Sequence, residues 1–100
     1  MTEKEFWVFF NRSLIKNRIS KGSDYRNSDD TIAKDIVVEM GKLIMITGVS
    51  LRAKELILMT LAHHPSKEAL RALAAYNKNP DKALKYTAHF ALEECEWWNE

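Results

Sequence analysis

Two residues that could work together chemically, His89 and Glu93, lie one helical turn apart in this 100-residue chain. On a helix, that spacing puts an imidazole and a carboxylate on one face, enough for two ligands on a metal ion. Zinc needs three or four convergent ligands, and His63, His64 and Cys95 stand at no spacing that would join them. The pair His63-His64 is expected at a helix C-terminus, where it complements the dipole, and His89 is expected to be an exposed neighbour of Glu93. Cys95 is the only cysteine. It has no internal disulfide partner, and on an inward-facing position it is expected to pack rather than react. Glu93, Glu94, Glu96 and Glu100 make an acidic end, but carboxylates on a solvent-facing helix lack the burial that tunes them for acid-base work. No glycine-rich phosphate loop or serine elbow occurs. The expectation is no catalytic residue, no metal and no cofactor.

Two further patterns address macromolecules. Arg12, Lys16, Arg18, Lys21 and Arg26 cluster in one stretch offset only by Asp24. They are candidate phosphate contacts, and Tyr25 beside Arg26 could stack on an unpaired base. The same residues also suit a solvated helix end, whose dipole they complement. The second pattern is Tyr86, Phe90 and Trp97 at helical spacing, interleaved with His89, Glu93 and Glu96. These six residues are the candidate partner-binding set, because aromatic anchors ringed by charge are typical of interface hot spots. A terminal helix should have a polar outer face, so a second aromatic strip needs a cover. That cover is either the Phe6, Trp7, Phe9 and Phe10 cluster folding back, or another chain, whether a partner or a second copy of this one.

The elements that position these residues read as helices. Thr2-x-x-Glu5 is a capping box that starts a helix over 3–19, with Phe6, Phe10 and Leu14 on one stripe. Residues 20–30 lack apolar periodicity and read as a loop. A second helix over 31–46, capped by Ser28 or Asp30, carries Ile32, Ile36, Met40, Leu43 and Ile44. Gly41 interrupts it at a cost of about 1 kcal/mol, which a closely crossing helix would explain. Gly48-Val49-Ser50 stops that helix and caps the next, over 50–62, which is apolar almost all round and leaves Arg52, Lys54, Glu55 and Thr60 to face water. Pro65 and Ser66 introduce a helix over 66–77 with Ala69, Ala72, Leu73 and Tyr76 inward. The turn from Asn77 to Asp81, with Asp81 as cap, precedes a last helix over 81–98 whose core stripe is Leu84, Ala88, Ala91, Cys95 and Trp98.

Composition agrees with that reading. Three glycines and two prolines supply too few reversals for an all-β fold, while 46% hydrophobic and 29% charged residues suit one folded domain. The net charge of +1 gives no general field toward nucleic acid or membrane. No apolar run approaches the roughly 18 residues of a membrane span, and the acidic start does not resemble a signal peptide. With a lone cysteine, the expected location is the cytoplasm.

Shifting the chain by 33 residues lays the second and third helices on the fourth and fifth: Val37 falls on Leu70, Met40 on Leu73, Leu51 on Leu84, Arg52 on Lys85 and Leu58 on Ala91. Leu84-Lys85-x-x-Ala88-x-x-Ala91-Leu92 resembles the second helix of a HEAT-type α-helical repeat. Leu51-Arg52-x-x-Glu55-x-x-Leu58-Met59 is similar to it, departing at Glu55 where a small residue is expected. The resemblance, from Thr31 to Trp98, implies a role in binding macromolecules; with the N-terminal helix, the expected fold is an all-α single domain of five helices, the last four forming two HEAT-like hairpins and the first packed across them. Gly48-Val49-Ser50 is also similar to the turn of a DNA-binding helix-turn-helix, departing at Ile44, where a small residue is usual, and at Lys54, where an aliphatic one packs inward. The expected function is a non-enzymatic cytoplasmic protein-binding module, such as an inhibitor, immunity-type or adaptor protein, that uses the aromatic and acidic face of the last helix. The alternative is nucleic-acid binding through Arg12 to Arg26 or the helix-turn-helix.

Overall fold

Side-chain caps start three of the helices. In the computed structural model, which describes residues 1–19 and 32–99, Thr2 N–H donates to Glu5 Oε1 at 2.9 Å and Glu5 N–H donates to Thr2 Oγ1 at 3.1 Å. This reciprocal box opens α1, Glu3–Ile19. Ser50 Oγ accepts from Ala53 N–H at 3.2 Å to open α3, Leu51–Ala62. Ser66 Oγ accepts from Ala69 N–H at 3.1 Å to open α4, Lys67–Asn77. With α2, Lys34–Leu43, and α5, Lys85–Trp98, the described residues form an all-α fold of five α-helices without a strand. The loop expected over 20–30 lies outside the described residues.

The second helix is shorter than the expected 31–46. Its N-cap is Ala33 in an extended conformation, φ −60° and ψ 145°, with no side-chain cap. The expected caps, Ser28 and Asp30, lie outside the described residues. Upstream, the Ile32 carbonyl accepts a hydrogen bond from His64 Nε2 at 3.1 Å, so this carbonyl is committed to another part of the chain instead of a helical ladder. A carbonyl can only accept, so Nε2 carries a proton there, and Nδ1 on the other side of the ring lies 2.9 Å from the Ser66 hydroxyl. At the other end, Met45 N–H and Ile46 N–H reach back only three residues, to Lys42 and Leu43, tightening the chain out of the α-helix. The fully buried residue Val37, absent from the expected stripe, joins Met40, Leu43 and Ile44 in the core, while Ile32 and Ile36 are half-buried against it.

In the packing, α2 lies on α4, α3 lies on α5, and α4 pairs with α5. α1 packs on α3. Gly41 sits where α2 and α4 cross. A Cβ at that position would lie 2.8 Å from the Ala72 Cβ, closer than real carbon atoms approach, so glycine is required by the crossing and the helix cost is offset there.

Two expectations about polar residues are overturned at the other end of the stack. Lys54 does not face water; its side chain is 3% exposed and its Nζ donates to Asp81 Oδ2 at 2.8 Å. α3 is covered on several sides by α1, α4 and α5, so a lysine on it can be pointed inward if a carboxylate meets it. Asp81 therefore does not cap the last helix: it makes no side-chain cap bond, and the chain enters α5 through a 3-10 turn, Lys82–Leu84. Beyond that turn the expected stripe is observed, with Leu84, Ala88, Ala91 and Cys95 buried.

Candidate protein-binding surface

The buried stripe of α5 determines what its opposite face shows. At about 100° per residue, placing Ala88, Ala91 and Cys95 inward puts Tyr86, Phe90, Glu93 and Trp97 outward. Tyr86 is 75% exposed, Phe90 64% and Trp97 61%, the three largest exposures of large hydrophobic residues among the described residues. Trp97 meets Trp98 edge-on, with ring centroids 4.7 Å apart, which holds one end of the strip against the half-buried Trp98. His89 Nε2 and Glu93 Oε1 are 3.1 Å apart on the same exposed face. Among the described residues no third histidine, cysteine or carboxylate joins them as a metal ligand. Glu96 is exposed beside them, so all six residues of the candidate set share one helix and one side of the molecule.

The aromatic cluster of α1 is used elsewhere. Phe6 is fully buried in the core, and Trp7 and Phe10 pack on it with centroids 5.5 and 5.6 Å away. Glu3 pins this cluster to α3: its carboxylate accepts from Ser50 N–H at 2.9 Å, from the Ser50 hydroxyl at 2.8 Å and from Trp7 Nε1 at 3.0 Å. The Ser50 amide, followed by the Trp7 indole and the Ser50 hydroxyl, holds the Glu3 carboxyl below the usual carboxylate range. With α1 tied to the start of α3, the cover that Phe6 and its neighbours could have supplied is spent on the core.

Between α3 and α5, the aromatic strip continues into an apolar groove of about 260 Å³, lined by Met59, Ala62, Thr87, Phe90 and Ala91. Its polar edge is His63 and Glu94, with Nε2 and Oε1 3.2 Å apart. Met59 is 53% exposed, so α3 adds a flexible thioether to the aromatic rings of α5. The spacing of residues on α5 revealed the strip, but no pattern in the chain paired Met59 with Phe90. That pairing arises from stacking two helices distant in sequence.

A second polar cluster, which sequence reasoning missed, joins Lys54, Asp81 and Tyr76. The Tyr76 hydroxyl donates to Asp81 Oδ2 and accepts from Asp81 N–H at 3.1 Å, while Lys54 donates to the same carboxylate. Lys54, with help from Tyr76, holds the Asp81 carboxyl below its usual range. Burial, then the Asp81 bond, pushes the Tyr76 hydroxyl up to about 12. Lys54 and Tyr76 are each 2% exposed while Asp81 is half-buried, and the cluster ties α3 to the end of α4. A lysine on a helix that is apolar almost all round was the available signal for it. The Cys95 thiol is likewise enclosed: it is fully buried, 3.6 Å from the His64 carbonyl, and burial pushes its pKa up.

Arg12 is exposed on α1, and Lys16 and Arg18 belong to the same helix. Lys21 and Arg26, with Tyr25, lie outside the described residues. In a helix-turn-helix, α3 would enter the groove, yet Leu56, Ile57, Leu58 and Leu61 are all buried within this domain. No helix among the described residues is long and apolar enough to cross a membrane. No family model matches this chain, and no curated protein or solved structure matches it.

Proposed function

We propose that this chain is a non-enzymatic protein-binding module of the cytoplasm, of the inhibitor, immunity-type or adaptor kind, whose contact surface is the outer face of α5. The observation that carries the reading is the exposure of Tyr86, Phe90 and Trp97 along one side of a single helix. A buried stripe holds that helix rigid, so its aromatic rings are presented with little ordering left to be lost on binding. His89, Glu93 and Glu96 edge the strip with polar groups, the arrangement that excludes water around central anchors. Stacking of α2 on α4 and of α3 on α5 supports the HEAT-like reading, in which equivalent helices of successive repeats lie side by side and build a shared surface. The buried, unreactive thiol of Cys95 supports a reducing compartment.

The test is capture of partners from the source cell by the wild type and by the Tyr86→Ala/Phe90→Ala/Trp97→Ala variant. It is carried out at about 0.15 M and about 0.5 M salt, with and without nuclease. The expected result is a protein that survives high salt and nuclease and is lost from the triple variant. Capture that disappears with nuclease or at high salt, and is indifferent to the three aromatics, would instead favour nucleic-acid binding.

A further inference from the structure

The exposed face of α5 carries a charge order as well as aromatic rings. Lys82 and Lys85 are exposed at its N-terminal end, and Glu93 and Glu96 at its C-terminal end. Lys85, His89 and Glu96 lie on one edge of the aromatic strip, since steps of four and seven residues return to nearly the same angle. Among the described residues Lys85 and Glu96 form no ion pair. Eleven residues separate them, about 16 Å along the axis at about 1.5 Å per residue. Their midpoint falls beside Phe90, and the midpoint of the strip from Tyr86 to Trp97 falls within about one residue of it.

We propose that this face pairs with the same face of a second copy, the two α5 helices running antiparallel about a two-fold axis near Phe90. The proposal rests on the reading of α5 as a binding face and names its occupant. A two-fold axis makes an interface self-complementary: each residue meets a partner, and that partner's copy meets it in return. Antiparallel pairing sets Lys85 of each chain against Glu96 of the other, giving two reciprocal ion pairs at the edges. Phe90 meets its own copy at the centre, and Tyr86 lies over the Glu93 to Trp97 end of the opposite helix. Parallel pairing would instead bring Lys85 level with Lys85 and Glu96 level with Glu96, on opposite edges, and would form neither ion pair. A uniformly basic helix would be repelled at Lys82 and Lys85, and a uniformly acidic one at Glu93 and Glu96. The charge order that fits is the reverse of this one, and a rotated copy has it. A single helix face falls among small interfaces, below about 1,200 Å² in total, so association belongs in the micromolar range.

Sedimentation equilibrium of the full chain from about 1 µM to about 500 µM tests the pairing. The wild type is expected to pass from monomer to dimer across that range. Lys85→Glu and Glu96→Lys should each weaken association at least about tenfold by setting like charges against each other. Mixing the two single variants should restore a heterodimer, and the Lys85→Glu/Glu96→Lys double variant should again pair with itself. Phe90→Ala, on the axis, should weaken the dimer more than about thirtyfold with the helical circular dichroism unchanged. A wild type that stays monomeric overturns the pairing; so does a dimer that ignores both charge reversals, or a mixture that fails to associate. If the wild type is monomeric yet still captures a cellular protein through Tyr86, Phe90 and Trp97, the second copy is excluded while the binding face stands.

Discussion

α3 hides a lysine and α5 displays three aromatic rings, so each breaks the usual partition of polar outside and apolar inside, in opposite directions. The burial of Lys54 is compensated within the chain. Asp81 takes its charge at 2.8 Å, and Tyr76 completes the hydrogen bonding of that carboxylate. Among the described residues the exposure of Tyr86, Phe90 and Trp97 is met by no comparable cover: the α1 aromatics that could supply it are packed around Phe6 and on the core. A broken rule with its compensation inside the domain points to a structural device. A broken rule without one is the observation on which the proposed contact surface rests.

The comparison is broken most forcefully at Asp81. Asp81→Ala leaves a buried ammonium without its carboxylate and should cost about 2–3 kcal/mol of unfolding free energy, below the full cost of an enclosed pair because Asp81 is itself one-third exposed. Lys54→Met should cost about 1 kcal/mol or less, because Asp81 keeps Tyr76 and water while methionine fills similar space. Equal losses in urea titrations of the two variants would show that Lys54 is not charged and buried as described.

Acid and alkali probe the same cluster. The Asp81 carboxyl is held below its ordinary value of 3.8, so its contribution is present above that pH and is lost as the pH falls from there through the lower folded value. Glu3 and Glu5 are lowered too and act in the same direction. The thermal midpoint should therefore be level near neutrality and fall below about pH 4, less steeply in Asp81→Asn. Tyr76 has the opposite sign: raised from 10.0 to about 12, it favours the fold fully below the unfolded value, and that contribution is lost as pH rises between the two. Tyrosinate absorbance should show one phenol titrating near 12 in the folded protein.

The smallest effect on stability is expected at the aromatic strip. The Tyr86→Ala/Phe90→Ala/Trp97→Ala variant should change unfolding free energy by only about 0.5–1 kcal/mol, since exposed side chains lose little packing on truncation. A loss of several kcal/mol would make the strip part of the core and remove the contrast with Lys54.

Much of the architecture could be read from local patterns. Thr2 with Glu5, Ser50 and Ser66 marked three helix starts within one or two residues, because a cap is a hydrogen bond closed within a single turn. The stripe from Leu84 to Cys95 placed the inner face of α5 and, by difference, its outer one. The start of α2 was not legible in this way. It depends on His64 holding the Ile32 carbonyl from 32 residues away. Asp81 was misread for a similar reason: its position before a helix suits a cap, and its actual partner, Lys54, lies 27 residues earlier.

Periodicity and capping, interactions spanning three or four residues, are enough to determine that this chain makes helices, which side of each is apolar, and that the last one is aromatic on both sides. Which polar residue is drawn inside, why Gly41 must have no side chain, and which aromatic cluster is covered were decided only when the helices crossed. Those outcomes depend on distances between residues far apart along the backbone, and tertiary packing alone sets them.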